Sequence, residues 1–578
     1  MSRRLRLAAT AGLGVAYLVL LIAALLPAPG LFLVFVAVTI GTELWLSRQA
    51  PHLLPSLLQT QLGVRFRLLS ADVLTAVLAA RLLPGSAGLV ALAVLAVLAL
   101  HGGRDAAGVF ARRREWRRNG GPVSWRNFDV PGLPTPQSAR PVDELNVPLA
   151  LLTLVMPLGF VIASITDRLR TVAIAEIVVL VVVVLFLAAR LLQYFLLNRV
   201  SRDAVRAAVR DRIEELAPEV VLHHSGRRGT AEQALAWVGP LAALGRRALI
   251  LVREPAHLDL LGGCGIPVVF APRSQDIELF MVPSIDVALY PSDVTNINNH
   301  LLRVPGIYDV LVGHGDSDEP ENRSPIARMY DEIWVAGPVG RERYAYPASA
   351  VRPERVREIG PVPAVAGPPL PPGDSAQPAV LYAPTWEQVL DSTNCSSLLT
   401  VGDAVLETLL ARGDVRVLFA PARPTGSRLP EYADAADRLR LRVAAAAGDH
   451  AVLAPEQIPA ALREAAFAVV DVSTVLSDAI RAGVPVAVPA LDGRSGAEMR
   501  DAFPTVAAAT VLGDVPADLI AALADALGAD VLRAARRALA ERIAGQPGDF
   551  GIRFGAAVAQ AAAAQRRRRA FARPGVTG

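Results

Sequence analysis

The chain has 578 residues, 53% of them hydrophobic and 19% charged, and long runs almost free of charge fill its first third. That is too long for one hydrophobic core and too uneven for one solvent-facing domain. The net charge of +4 comes from arginines clustered at the flanks of those runs and at the C-terminus, which argues against a nucleic-acid groove. Two cysteines, Cys264 and Cys395, lack Cys or His neighbours at ligand spacing, so a disulfide framework or a zinc site has no support and a reducing compartment is expected.

Apolar stretches near 7–27, 30–47, 87–101, 147–166 and 171–197 approach the roughly 20 residues that cross a bilayer. A weaker one near 68–83 contains Asp72 and Arg81, each costing about 3 kcal/mol at a bilayer centre. Including it puts the arginines of the N-terminus, of Arg48 to Arg67, of Arg112 to Arg118 and of the segment after Arg199 on one side. The expectation is a transmembrane region of about six helices over 1–200, with an uncleaved first span. The protein would be a multi-pass protein of a bacterial-type plasma membrane with its C-terminal head in the cytoplasm. Pro51 to Leu69 could lie along the membrane interface or form a plain loop. Glu43 and Glu176 read as headgroup-level carboxylates, because no internal repeat marks a transporter.

From about 200, short β-branched runs alternate with Ala- and Leu-rich helical stretches, the pattern of parallel sheets with crossover helices. Strands are expected at 246–253, 266–270, 285–290, 308–312 and 332–335, and again at 379–382, 415–419, 450–453, 467–471 and 484–488. Residues 361–378, rich in Pro and Gly, read as a linker. The expected domains are therefore 201–360 and 379–545, both Rossmann-like, with a basic tail over 546–578 that contacts anionic lipid or is simply solvated. In open α/β sheets ligands bind beyond the carboxyl ends of strands, and three motifs fall there.

Gly313-His314-Gly315-Asp316-Ser317-Asp318 directly follows a strand. Its glycines let backbone approach a ligand, and His314 can act as a general base or stand as a turn residue. In Leu381-Tyr-Ala-Pro-Thr-Trp386, Pro384 ends the ladder and leaves Thr385 and Trp386 at the strand end. In Asp471-Val-Ser-Thr-Val-Leu-Ser-Asp478, a strand gives way to a helix with Ser473 and Thr474 at its N-terminus. Such a position suits a phosphate through free N–H groups and the helix dipole, and is equally compatible with ordinary capping by Ser473.

Together these segments, with Tyr330 to Pro338, Arg341 to Tyr344 and Gly483-Val-Pro485, resemble the CDP-glycerol glycerophosphotransferase family over about 215–500. The resemblance implies two Rossmann-like domains in a glycosyltransferase-B (GT-B) arrangement, the first on the acceptor side and the second binding nucleotide. It implies transfer of a polyol phosphate from a CDP-polyol donor to a hydroxyl of a lipid-linked or envelope-polymer acceptor, in teichoic-acid-like synthesis beside membrane lipids.

His314 would be the base, with Asp316 beside it. Gly313, Gly315, Ser317, Thr385, Trp386, Arg423, Asp471, Ser473, Thr474 and Asp478 would bind substrate and phosphate. No cofactor is assigned, although pyrophosphate chemistry also accommodates a divalent metal ion. Three positions depart from the family pattern: Ala422 replaces a histidine, Glu319 a lysine and Val472 a tyrosine. A catalytically degenerate homologue that binds nucleotide or recruits partners is the alternative.

Overall fold

The computed structural model describes residues 3–49, 64–82, 123–133, 202–226, 230–292, 300–320, 325–345, 351–364, 367–371, 377–388 and 393–572, with isolated residues elsewhere. The chain divides into two compact units, Met1–Pro122 with Pro136–Ser201, and Val123–Thr135 with Arg202–Gly578.

In the first unit, α1 (Arg3–Leu25), α2 (Pro29–Gln49) and α3 (Val64–Leu82) bury Leu20, Ala23, Ala24, Phe32, Val36 and Leu78 against one another. Arg81 closes the packing by donating to the Leu25 carbonyl at 2.6 Å. The expected transmembrane region and multi-pass plasma-membrane localisation are corrected here: among the described residues, no helix is long and apolar enough to cross a membrane. Arg3, Arg4 and Arg6 open α1, Glu43 and Arg48 lie in the C-terminal half of α2, and Asp72 and Arg81 lie in α3. The stretch 147–166 falls outside the described residues, as do Glu176, residues 51–63 and the Arg112 to Arg118 block, while only scattered positions of 87–101 and about half of those of 171–197 are described.

The second unit holds two sheets. The first contains β1 (Ser124–Arg126), β2 (Val220–His224), β3 (Ala248–Val252), β4 (Val268–Phe270), β5 (Val287–Tyr290), β6 (Tyr308–Leu311), β7 (Glu332–Val335) and β8 (Val356–Glu358). Its order is β1-β4-β3-β2-β5-β6-β7-β8, parallel except for β1, which runs antiparallel to β4. The second contains β9 (Ala379–Ala383), β10 (Arg416–Phe419), β11 (Ala451–Val452), β12 (Ala465–Val470), β13 (Val486–Pro489) and β14 (Thr510–Leu512). Its order is β11-β10-β9-β12-β13-β14, parallel throughout.

Strands such as Val-Ala-Leu-Tyr of β5 and Arg-Val-Leu-Phe of β10 are buried at every residue. Both faces of each sheet are covered by helices, so both faces are apolar and the strands read as continuous runs. This is the parallel α/β, GT-B-type arrangement implied by the resemblance. Four strands, β1, β2, β8 and β14, were not legible beforehand. β2 carries two histidines, and β1 is drawn from a segment embedded in the apolar first third.

In each sheet the strand order reverses beside the first strand of the domain, between β2 and β5 and between β9 and β12. The crevice at such a reversal is where ligands enter doubly wound sheets. Four helices frame it. In the first domain these are α4 (Ala231–Leu235) and α5 (Pro338–Tyr344); in the second, α6 (Thr474–Arg481) and α7 (Arg533–Ala544).

The expected basic tail is largely a helix, α8 (Phe550–Ala572), which returns to the first domain. Phe554 packs 5.5 Å from Trp237 and 6.0 Å from Trp334. Arg566 pairs with Asp286 at 2.7 Å and Arg568 with Asp331 at 2.8 Å, while Arg569 donates to the Gly306 carbonyl at 3.0 Å. These arginines pair with carboxylates of the chain itself, while the Arg566 and Arg568 side chains stay more than half exposed.

Candidate active site

A cleft of about 330 Å³ opens between the carboxyl ends of the two sheets. It is lined from the first domain by Gly313, His314, Gly315 and Asp316, and from the second by Ala422, Arg423, Thr474 and Asp478. Seven of the twelve residues singled out in the sequence thus share one cavity.

His314 projects from the loop after β6. Its Nδ1 lies 3.0 Å from the Pro291 carbonyl, an acceptor only, so Nδ1 carries the proton. Nε2 is then the lone-pair nitrogen, and the Gln233 amide of α4 approaches it at 3.4 Å. Burial lowers the His314 pKa below its ordinary value, with the Pro291 bond acting in the opposite sense. A neutral ring with a fixed tautomer is the form a general base requires.

The loop itself is held by Trp237, whose Nε1–H donates to the Gly313 carbonyl at 2.7 Å. Gly313 has φ +64 and Gly315 φ +154, conformations that side chains seldom adopt. A Cβ on Gly315 would stand 2.8 Å from Thr474 Cγ2, so this glycine lets the histidine loop touch the second domain.

Opposite, α6 opens onto the cavity at its N-terminal end. Ser473 is its N-cap in extended conformation, yet the hydroxyl caps nothing, and no acidic residue occupies the first turn. Ser473 Oγ is buried without a hydrogen-bond partner, as is Asp471 Oδ1. Asp471 Oδ2 accepts from the backbone N–H groups of Thr385 at 2.7 Å and Ser397 at 3.1 Å. It therefore ties the β9 loop to the end of β12 across the reversal point. Burial pushes the Asp471 carboxyl up to about 6 despite those bonds.

Asp478 is half exposed to the cleft and pairs with Arg481 at 3.1 Å. Protein crowds it on the remaining sides, which raises its carboxyl to about 6 despite Arg481, and the charge of Asp316 adds to the rise.

Arg423 stands at the rim, 3.7 Å from Glu232 of α4 and paired with Glu456 of the second domain. Ser317, Thr385, Trp386, Asp471 and Ser473 do not line the cavity. Ser317 donates to Glu319 at 2.9 Å, and Trp386 is half-buried in the loop after β9. Asp316 lines the cavity but is held at 2.8 Å by Arg343, whose role was not legible, nor were those of Gln233, Trp237, Arg481 and Thr505.

Of the three departures, Glu319 accepts a bond from Gln388 and does not line the cavity. Val472 is fully buried in the second core. Only Ala422 faces the cleft. Among the described residues no three His, Cys, Asp or Glu are grouped to hold a metal ion, so no residue set is assigned to the divalent ion considered above.

No protein-family model and no curated protein sequence matches the chain. Solved structures do resemble it. A Listeria monocytogenes protein described as a UDP-N-acetylglucosamine 2-epimerase is 12% identical, covering 60% of this chain and 97% of its own, with TM-score 0.42. The wall teichoic acid polymerase TagF is 12% identical over 62% of this chain and 94% of its own, TM-score 0.40. A glycosyltransferase of Rickettsia africae is 10% identical over 61% and 99%, TM-score 0.38. With TM-scores under 0.5 these likenesses carry no weight for function, and the cleft geometry has to.

Proposed function

We propose that the protein is a transferase that moves a polyol phosphate from a CDP-polyol to an acceptor hydroxyl, with His314 as general base. One observation carries this reading: a neutral histidine with an oriented Nε2 lone pair shares a single cleft with a helix N-terminus that has no acidic residue in its first turn and an uncapped serine beside it. An alcohol and a diphosphate are the ligands those two groups suit.

The acceptor oxygen would attack the β-phosphorus as its proton passes to His314 Nε2. The bond from that phosphorus to the bridging oxygen breaks, CMP leaves with the electron pair, and a phosphodiester forms. The first-turn N–H groups of α6, with the Thr474 hydroxyl, would stabilise the diphosphate charge. Arg423 would exchange its carboxylate partners for phosphate oxygens, since a guanidinium fits both.

The second reading, a degenerate homologue that binds nucleotide without turnover, is favoured by Ala422, which faces the cleft where the family pattern has a histidine. CMP release from CDP-glycerol and CDP-ribitol, with an alcohol acceptor supplied, separates the two. Release lost in His314→Ala supports transfer. Nucleotide binding without release, and release appearing in Ala422→His, would support the degenerate reading.

A further inference from the structure

The loop carrying His314 meets the second domain at three points, each on a different element. Gly315 lies against Thr474 at the start of α6. Glu319 accepts from Gln388 after β9. Asp318 meets Thr505, in the short 3-10 segment Pro504–Ala508.

The Asp318 contact is the most enclosed. Asp318 is 2% exposed, Thr505 1% and Arg343 6%. Oδ2 of Asp318 accepts both the backbone N–H and the hydroxyl of Thr505 at 2.7 Å. Its Oδ1 accepts from Arg343 Nε and Nη2 at 3.2 and 3.0 Å. Arg343, on α5, spends its remaining edge on Asp316, with Nη1 to Oδ1 at 2.8 Å and Nη2 to Oδ2 at 3.3 Å. One guanidinium therefore fixes two carboxylates within two and four residues of His314, and one of them is bonded on its far side to the other domain.

We propose that Arg343, Asp318 and Thr505 form an interdomain latch, and that Arg343 is the positioning residue that holds the His314 loop in register with the N-terminus of α6. A buried carboxylate needs its donors, and here they come half from each domain, so the domains cannot part without stranding Asp318 Oδ2 until water replaces Thr505. A planar fork that grips two carboxylates also fixes the loop's orientation, which a lysine ammonium would not. The consequence for rate rests on the transferase reading above; the consequence for domain separation does not.

The test uses the full chain with spin labels at Leu260→Cys in the first domain and Leu441→Cys in the second, both at exposed positions, in a Cys264→Ser background. Cys395 is buried and does not label. The interdomain distance is measured by pulsed paramagnetic resonance in the parent and in Thr505→Ser, Thr505→Val, Asp318→Asn and Arg343→Lys.

The parent and Thr505→Ser should give one narrow distribution, and Thr505→Val and Asp318→Asn a longer or broader one. In CMP release from CDP-glycerol, kcat should fall about 10-fold or more in those two variants, because the base and the phosphate site sit on different domains, while CMP affinity stays close to the parent's. A narrow, unchanged distribution in the folded Thr505→Val and Asp318→Asn variants overturns the latch, and so does loss of melting temperature without any change in distance. If the parent releases no CMP, the transferase reading fails while the distance measurement still decides the latch.

Discussion

At the scale of single residues, the tautomer of His314 is the decisive chemical fact, and it is set by a carbonyl on a neighbouring strand end. Pro291 follows β5 and His314 follows β6, so two adjacent strands place the acceptor and the ring 3.0 Å apart. Burial lowers the pKa of the ring, so more acid is tolerated before the base is lost than a free imidazole would tolerate. The rate of CMP release should therefore hold as pH falls through 6.5 and decline only below it, which a pH profile of kcat will show. Substitution of His314 by Ala should remove the acid limb and lower the rate roughly 10²- to 10⁴-fold. A limb centred at or above 6.5 would exclude His314 as the titrating base. Motif and strand context identified His314 in the sequence, whereas its tautomer depends on Pro291, 23 positions earlier, and no local pattern records that.

Among the elements, the histidine loop and α6 are matched in shape as well as in charge. Gly315 and Thr474 are in such close approach that Gly315→Ala places a methyl 2.8 Å from Thr474 Cγ2 at a φ of +154. Overpacking and backbone strain together should cost about 1 to 3 kcal/mol, read as a lower denaturant midpoint. The double variant with Thr474→Ser, which lacks that γ-carbon, should recover part of the loss. No recovery would mean that backbone strain alone sets the cost. Asp471 belongs to the same scale: the sequence marks it as the end of a strand, but its work is to hold the loop at Thr385, 86 positions away. Thr385 and Asp471 thus shape the site from behind the cavity wall.

For the whole molecule, buried groups of opposite response titrate over one pH range. Burial first, and then the charge of Arg253, lowers His223 to about 3. As pH falls from 6.5 toward 3, the unfolded chain takes up this proton before the folded one does, so stability is lost. Burial and the Asp331 charge raise Asp309 to about 7, against the hydrogen bond from Tyr290. Over about 7 to 4 the folded chain holds that proton more tightly than the unfolded one, so falling pH restores stability. The two effects oppose, each by up to roughly 1.4 kcal/mol per pH unit. Asp309→Asn removes the restoring one and should steepen the loss of stability between pH 7 and 4, measured by urea unfolding at several pH values. Parallel curves for parent and variant would sink this account.

What the sequence by itself determined is local in origin. β-branched runs buried on both faces specify parallel strands, glycines at Gly313 and Gly315 specify a loop that backbone can approach closely, and Ser473 ahead of an apolar-faced helix specifies an N-terminus. Those signals marked two sets of parallel strands, and seven of the residues they singled out line one cleft. They did not disclose β1, because a three-residue strand embedded in an apolar third has no periodicity of its own and pairs only once β4 is in place. Nor did they establish whether apolar runs cross a membrane, since hydropathy read along the chain does not say which residues of α1, α2 and α3 pack against one another and which stay exposed. The basic tail had the same ambiguity: arginines facing solvent and arginines facing Asp286 and Asp331 are written identically. Only the tertiary structure decided that Arg343 links Asp316 to Asp318 and Asp318 to Thr505, because a buried ion pair is specified by which charges meet in space, and Thr505 lies 187 positions from its partner.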